Sequence, residues 1–304
     1  MSWRNIAKML GIGKSTVSDF LRTVETLHTV DTPVDIVETV LCPSKVKANK
    51  KKDVTHFVIP DSQVKASTNL DWLRCIGEYI VAKKPDVIIH LGDFADLESL
   101  SSYDKGKKSA EGRRIQKDID AAVKGMETLL APLRSYQQFN PDYQPRMVLT
   151  LGNHEDRLTR HIESNPELEG FLTMDSLQYE QFGWEVVPFL TPINIDGINY
   201  CHFFANPFTG KPYGGSTLNI LQKVGESFTQ GHKQTLDVAT RFLPTSGTQQ
   251  WGLIAGACYP HNEGYKGVQG NHHFRGVIVK HNVHKGSYDP MFVSLKYLMK
   301  RYKK

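Results

Sequence analysis

Three stretches of the chain share one pattern, a short apolar run that stops abruptly at polar residues. Phe57-Val58-Ile59 leads into Pro60-Asp61-Ser62-Gln63, Val87-Ile88-Ile89 into His90-Leu91-Gly92-Asp93, and Leu149-Thr150-Leu151 into Gly152-Asn153-His154-Glu155. Apolar runs of this length read as strands of a parallel sheet buried on both faces. The loop past the carboxyl end of such a strand is where open α/β sheets place their sites. Between these runs the apolar residues recur at helical spacing: Leu70, Trp72, Leu73, Ile76, Tyr79 and Ile80, then Ile115, Ile119, Ala122, Met126 and Leu129 within a helix expected from Glu111 to Leu133. Alternating strand and helix predicts an α/β sandwich with a largely parallel central sheet.

The second half changes character. Residues 184–189, 192–195, 198–203 and 227–230 read as short strands, with Asp196-Gly197 as a hairpin turn between two of them. Segments 274–281 and 291–298 are expected to pair as a closing hairpin, so a second sheet is predicted.

The first 52 residues follow neither pattern. Residues 3–22 read as two short helices around Gly11, with Ile6, Leu10, Ile12, Val17 and Phe20 between them and Ser15 as the N-cap of the second. This resembles a helix-turn-helix, which would put Lys14, Ser15, Thr16 and Ser18 near the end of the helix that enters a DNA major groove. A helical hairpin packed on the main domain or on another subunit is the open alternative. Thr32-Pro33, Cys42-Pro43 and the lysine-rich run 45–52 make a linker. The expected organisation is a helix-turn-helix-like segment over 1–30, a basic linker over 31–52 and a catalytic domain over 53–304.

Composition narrows the function classes. Of the 304 residues, 23% are charged and 39% hydrophobic, the balance of a globular protein able to bury a full core. No run of about 18 apolar residues is present to span a membrane, and residues 1–10 lack the apolar core of a signal peptide, so a cytoplasmic protein is expected. Cys42, Cys75, Cys201 and Cys258 show no C-x-x-C spacing and are expected to be reduced thiols. The net charge of +5 is concentrated at the ends: residues 1–52 hold nine Lys/Arg against five Asp/Glu, and Lys296, Lys300, Arg301, Lys303 and Lys304 close the chain without an acid. Basic ends suit a polyanionic partner or form solvated tails.

Asp61-Ser62-Gln63, Gly92-Asp93, Gly152-Asn153-His154-Glu155, His202 and Gly231-His232-Lys233-Gln234 each close a predicted strand. In order and spacing, over about residues 55–235, they resemble the five motifs of the calcineurin-like metallophosphoesterase family: D-x-H, G-D, G-N-H-D/E, H and G-H-x-H. The fold that this implies is a β-sandwich flanked by helices in four αββα layers. Asp, Asn and His offer hard and borderline donors that suit Mn²⁺, Fe or Zn²⁺, and two such ions can clamp an in-line displacement at phosphorus. The resemblance implies that Asp93 bridges two divalent ions, that Asn153, His202 and His232 complete one site, and that Asp61, Gln63 and Gln234 complete the other. His154 would face the scissile phosphate and protonate the leaving oxygen, and Asp96 matches the carboxylate that orients this histidine in the family's Ser/Thr phosphatases.

The sequence departs from the family twice on the same metal site, because Gln63 and Gln234 stand where the family carries histidine. An amide oxygen is a weaker, harder donor than imidazole, which favours Mn²⁺ or Mg²⁺; a one-metal site and an inactive scaffold are the alternatives. Leu97 occupies the place of the phosphate-clamping arginine of the Ser/Thr phosphatases, which counts against a phosphoprotein substrate. Arg113 and Arg114, with Lys105, Lys107 and Lys108, flank the loop after Asp93 and are candidate phosphate contacts, or a solvated basic loop. Three functions are compatible: a metal-dependent nuclease on DNA, with the nearest resemblance to DNA-repair exonucleases including phage-encoded ones; a phosphatase on nucleotides or phosphoproteins; and a DNA-binding protein with a degenerate phosphoesterase scaffold. A dimer is compatible with all three.

Overall fold

The computed structural model describes residues 53–102 and 106–303, so the expectations for residues 1–52, Lys14, Ser15, Thr16 and Ser18 included, and for Lys105 lie outside the described residues. Within the unit that begins at Asp53, two sheets pack face to face. The first has the order β11-β10-β1-β2-β3-β4 and is built from β1 (His56–Ile59), β2 (Val87–His90), β3 (Arg146–Thr150), β4 (Glu185–Val187), β10 (Gly276–His284) and β11 (Ser287–Ser294). The second has the order β5-β6-β7-β9-β8 and is built from β5 (Ile193–Ile195), β6 (Ile198–Cys201), β7 (Phe228–Gln230), β8 (Leu236–Leu243) and β9 (Thr248–Ala255). Strands β1 to β4 run parallel, while β10 pairs antiparallel to β1 and β11 antiparallel to β10.

The period of two along a strand explains why these runs are apolar throughout. In β1, Phe57 and Ile59 face the helices α1 (Asp71–Lys83) and α2 (Ile115–Phe139), where they meet Leu73, Ile76, Met126 and Leu129. Val58 faces the other way and joins Ile89, Val148 and Ile278 against Ile195, Ile198, Tyr200 and Leu253 of the second sheet. The outer face of the second sheet is covered by α4 (Thr217–Val224), through Ile220 and Leu221 on Phe228 and Ile254. The remaining helices are α3 (Asp156–Ser164), directly after the His154 loop, and α5 (Leu295–Tyr302). No helix among the described residues is long and apolar enough to cross a membrane. Cys75, Cys201 and Cys258 are buried free thiols.

Several boundaries differ from the sequence expectation. The long helix begins at Ile115, not at Glu111, and continues through Pro132 to Phe139. The segment expected as a strand over 291–298 turns helical at Leu295, because Ser294 Oγ accepts the Tyr297 amide and caps a new helix. The β8–β9 hairpin and the helices α3 and α4 had no counterpart in the expected elements.

Candidate metal centre

The carboxyl ends of β1, β2, β3, β6 and β7 converge, and each delivers its motif to one place. Asp61 and Gln63 follow β1, Asp93 follows β2, Asn153 and His154 follow β3, His202 follows β6, and His232 and Gln234 follow β7. The loops are stitched together by their backbones: Ser62 and Gln63 amides donate to Asp93 O at 3.0 and 2.8 Å, and the Gly231 amide to His202 O at 3.1 Å. Two glycines make the approach possible. A Cβ on Gly152 would lie 2.1 Å from Asp93 Oδ1, and one on Gly231 would lie 2.3 Å from Asp61 Oδ1. Gln63, Asp93, His232 and Gln234 all hold positive φ, at 43°, 50°, 65° and 58°. A side-chain-bearing residue there costs roughly 1 kcal/mol or more, and four such residues share this site.

Asp61, Asp93 and His202 are buried, and one ligand atom from each lies within 4.8 Å of the others. Asn153 Oδ1 sits 2.9 Å from His202 Nε2 and 2.7 Å from His232 Nδ1, and His202 Nε2 is 3.4 Å from Asp93 Oδ2. His202 Nδ1 lies 2.7 Å from Leu91 O, the geometry of a donated N–H that leaves the Nε2 lone pair facing the cluster. Lone pairs from carboxylates, an amide and imidazoles thus point at a common volume, which is unfavourable without a cation or a proton between them. The titration behaviour expresses the same need. Burial would lower the His202 imidazole, but the neighbouring Asp93 carboxylate outweighs it and lifts the group to about 9. Burial raises Asp61 to about 6, and burial together with the adjacent His202 lowers His232 to about 4. Asp61 Oδ2 and both side-chain amide atoms of Gln63 are buried with no hydrogen-bond partner among the described residues. Oxygen and imidazole donors left in this way fit a divalent ion of hard to borderline character.

Gln234 differs from Gln63. Its Oε1 accepts from Tyr259 Oη at 2.7 Å and from Lys266 Nζ.

Beside the cluster, the His154 amide donates to Asp93 Oδ1 at 2.9 Å and its Nδ1 lies 2.7 Å from Asp96 Oδ1. His154 Nε2 is 3.6 Å from Asp93 Oδ2 and accepts from Arg157 Nη2 at 3.0 Å. Burial opposes a charge on His154, yet Asp93 and Asp96 outweigh it and raise its pKa. Asp96 titrates well below the usual carboxylate range: burial works against this, and His154, Lys65 and Arg157 more than compensate. Lys65 Nζ lies 3.0 Å from Asp96 Oδ2 and 2.8 Å from Glu263 Oε1.

Arg157 and Lys266 were not singled out from the sequence, and Glu155 stood in its motif without a role. Arg157 stands three residues after His154 at the start of α3, the spacing at which helical neighbours meet. Glu155 latches the loops: Oε2 accepts the Asp93 and Gly152 amides at 2.9 Å each, and Oε1 accepts the Ala95 amide at 3.0 Å and Tyr179 Oη at 3.2 Å. Lys266 reaches the cluster from a one-turn segment, Gly264–Lys266, and no local pattern announces it. Of the candidate phosphate contacts, Arg113 is tied to Glu98, with Nη1 donating to its carbonyl at 2.9 Å, whereas Arg114 is exposed.

A family model described as calcineurin-like phosphoesterase matches residues 56–277, a span that contains every described member of the cluster. The chain is also 25% identical over 206 residues to the Gene 54 protein of Mycobacterium phage L5, covering 66% of this chain and 77% of that protein. It is 24% identical, with the same coverage, to the Gene 54 protein of Mycobacterium phage D29. The family match extends over most of the chain and its strand ends assemble a buried Asp, Asp and His triad; the chain belongs to the calcineurin-like phosphoesterase family and is a metal-dependent phosphoesterase.

Proposed function

We propose that this phosphoesterase is a phosphodiesterase of nucleic acid, a DNA nuclease that works best with Mn²⁺. The observation that carries the proposal is the pair formed by His154 and Asp96, with Nδ1 and Oδ1 2.7 Å apart, at the rim of the metal cluster and flanked by Arg157 and Lys65. A sugar alkoxide is a poor leaving group and needs a proton as it departs. Asp96 fixes the imidazole with Nδ1–H inward, so Nε2 is the atom that holds and delivers that proton. Arg157 occupies Nε2 in the free protein; turned toward a phosphate oxygen, its guanidinium would orient the diester and free Nε2 for proton transfer. Asp61, Asp93, Asn153, His202 and His232 would hold a divalent ion, which would supply Lewis acidity for the phosphoryl group and for a water. Oxygen donors from Asp61, Asp93 and Asn153 outnumber the two imidazoles in that set, which favours a harder ion and is the reason for Mn²⁺. The basic stretches at both ends of the chain, and the helix-turn-helix-like pattern of residues 3–22, supply attraction for a polyanion.

The test is incubation with Mn²⁺, Mg²⁺ or no metal on single-stranded DNA, duplex DNA, RNA, bis-p-nitrophenyl phosphate and p-nitrophenyl phosphate. Metal-dependent cleavage of DNA and of the chromogenic diester is expected. Hydrolysis confined to the monoester would replace this reading with a phosphatase, and DNA binding without any hydrolysis would leave only a scaffold.

A further inference from the structure

We propose that the ammonium of Lys266 takes the place of the second divalent ion, so that this chain works with one metal ion and one lysine. The inference rests on the metal reading of the cluster given above, and it departs from the two-ion arrangement that the family resemblance implies. Of the two positions that lose histidine, Gln63 and Gln234, the second is where Lys266 arrives. Its Nζ donates to Gln234 Oε1 and, at 3.0 Å, to Tyr259 Oη, while Tyr259 Oη itself lies 2.7 Å from Gln234 Oε1. Burial, the largest influence, lowers the Lys266 pKa, and Asp61 and Glu263 act against that by attracting the ammonium. Gln234 is therefore already committed as an acceptor to a cation of the chain's own.

The choice of side chains fits this arrangement. Imidazole presents a lone pair to a metal ion but cannot accept from an ammonium without giving that lone pair up, whereas a glutamine oxygen accepts readily from Lys. Lysine is a compact point charge on a flexible stem, suited to replace an ion rather than to clamp a planar group. The lysine is held in place by its surroundings. Its amide donates to Glu263 O at 3.2 Å, Asn271 Nδ2 also donates to Glu263 O at 2.9 Å, and the Glu263 carboxylate is anchored by Lys65. Tyr259 is stacked on His261, with ring centroids 4.5 Å apart, and has the Arg275 guanidinium 5.5 Å from its ring centre. On the other side, Asp61, Asp93 and His202 gather about a single point with Asn153 and His232 beside them. One ion there and one ammonium at Gln234 give both buried carboxylates a positive partner.

The experiment is Mn²⁺ titration of the full-length chain, read by elemental analysis after desalting and by electron paramagnetic resonance. The expected result is one Mn²⁺ per chain with the spectrum of an isolated ion. Restoring both imidazoles with Gln63→His and Gln234→His should leave the stoichiometry at one while Lys266 remains, and adding Lys266→Met should raise it to two with a spin-coupled spectrum. Lys266→Arg in the same background should stay at one. Two coupled ions in the wild-type chain would overturn the inference, as would a stoichiometry that stays at one in the triple variant. Retention of the first Mn²⁺ reports that each variant is folded. No Mn²⁺ in the wild-type chain would sink the metal reading itself, and this inference with it.

Discussion

His154→Ala separates proton donation from metal binding, and the structure sets the size of both effects. The His154 side chain is 3.6 Å from Asp93 but its backbone amide makes the 2.9 Å hydrogen bond to that carboxylate, and alanine retains the amide. Asp96 keeps Lys65 at 3.0 Å and Arg157 at 3.4 Å. The substitution therefore leaves no bare buried charge, a fault that costs about 3–5 kcal/mol; the loss is one charge-assisted hydrogen bond, roughly 1.5–3 kcal/mol of stability. Turnover on DNA should fall by about 10²- to 10⁴-fold, the range for general acid catalysis, which is about 3–5 kcal/mol of barrier. The assay compares DNA with bis-p-nitrophenyl phosphate and follows Mn²⁺ binding alongside. Nitrophenolate leaves without a proton, so the variant should be much less impaired on the chromogenic diester, and Asp96→Asn should show the same contrast more weakly. Equal loss on both substrates, or loss of bound Mn²⁺, would refute proton donation by His154.

Other expectations follow from the same geometry. Glu155→Gln replaces an acceptor of three backbone amides with a group that can donate toward them, so thermal or denaturant unfolding should show roughly 1.5–3 kcal/mol of destabilisation; an unchanged midpoint would deny Glu155 its latching role. His56 is buried between the sheets, 2.7 Å from Tyr200 Oη, and burial lowers its pKa from 6.5 to about 4. The unfolded chain takes up this proton at higher pH than the folded one, so stability should be lost as pH falls from about 6.5 to about 4, by on the order of 2–3 kcal/mol. His56→Gln should flatten that slope, and an unaltered slope would count against it. Deleting residues 1–30 should weaken DNA binding and reduce its salt dependence while sparing hydrolysis of bis-p-nitrophenyl phosphate; undiminished DNA affinity would remove the docking role from that segment.

The strand ends were legible in the sequence because their environment is extreme. A strand buried on both faces is mostly apolar, and the break to the polar motif residues is correspondingly sharp after Ile59, Ile89 and Leu151. The β8–β9 hairpin was not legible, since β8 lies at a sheet edge and presents Asp237, Thr240 and Arg241 to solvent along a strand with little burial. Helix α3 was hidden for the same reason: four of its nine residues are charged and it buries only Leu158. Arg157 left a usable trace, its spacing of three from His154. Lys266 left none, because its approach to Gln234 is made by tertiary folding between positions 32 residues apart. The glutamines at 63 and 234 were visible as departures from the family pattern. Only the structure distinguishes them: the Gln63 side-chain amide has no hydrogen-bond partner among the described residues, while the Gln234 oxygen is held by Tyr259 and Lys266.

The central claim is that the cluster of Asp61, Asp93, Asn153, His202 and His232 holds the ion on which hydrolysis depends. Exhaustive chelation, elemental analysis and stepwise Mn²⁺ return, each with bis-p-nitrophenyl phosphate hydrolysis measured on the wild-type chain and on His202→Ala, test it directly. Activity should vanish with the metal and return with Mn²⁺ in the wild-type chain, and His202→Ala should bind Mn²⁺ at least tenfold more weakly, in the range of about 10- to 100-fold or beyond for disturbed metal sites. Full activity in the metal-free wild-type chain, or undiminished Mn²⁺ affinity in His202→Ala, would contradict it.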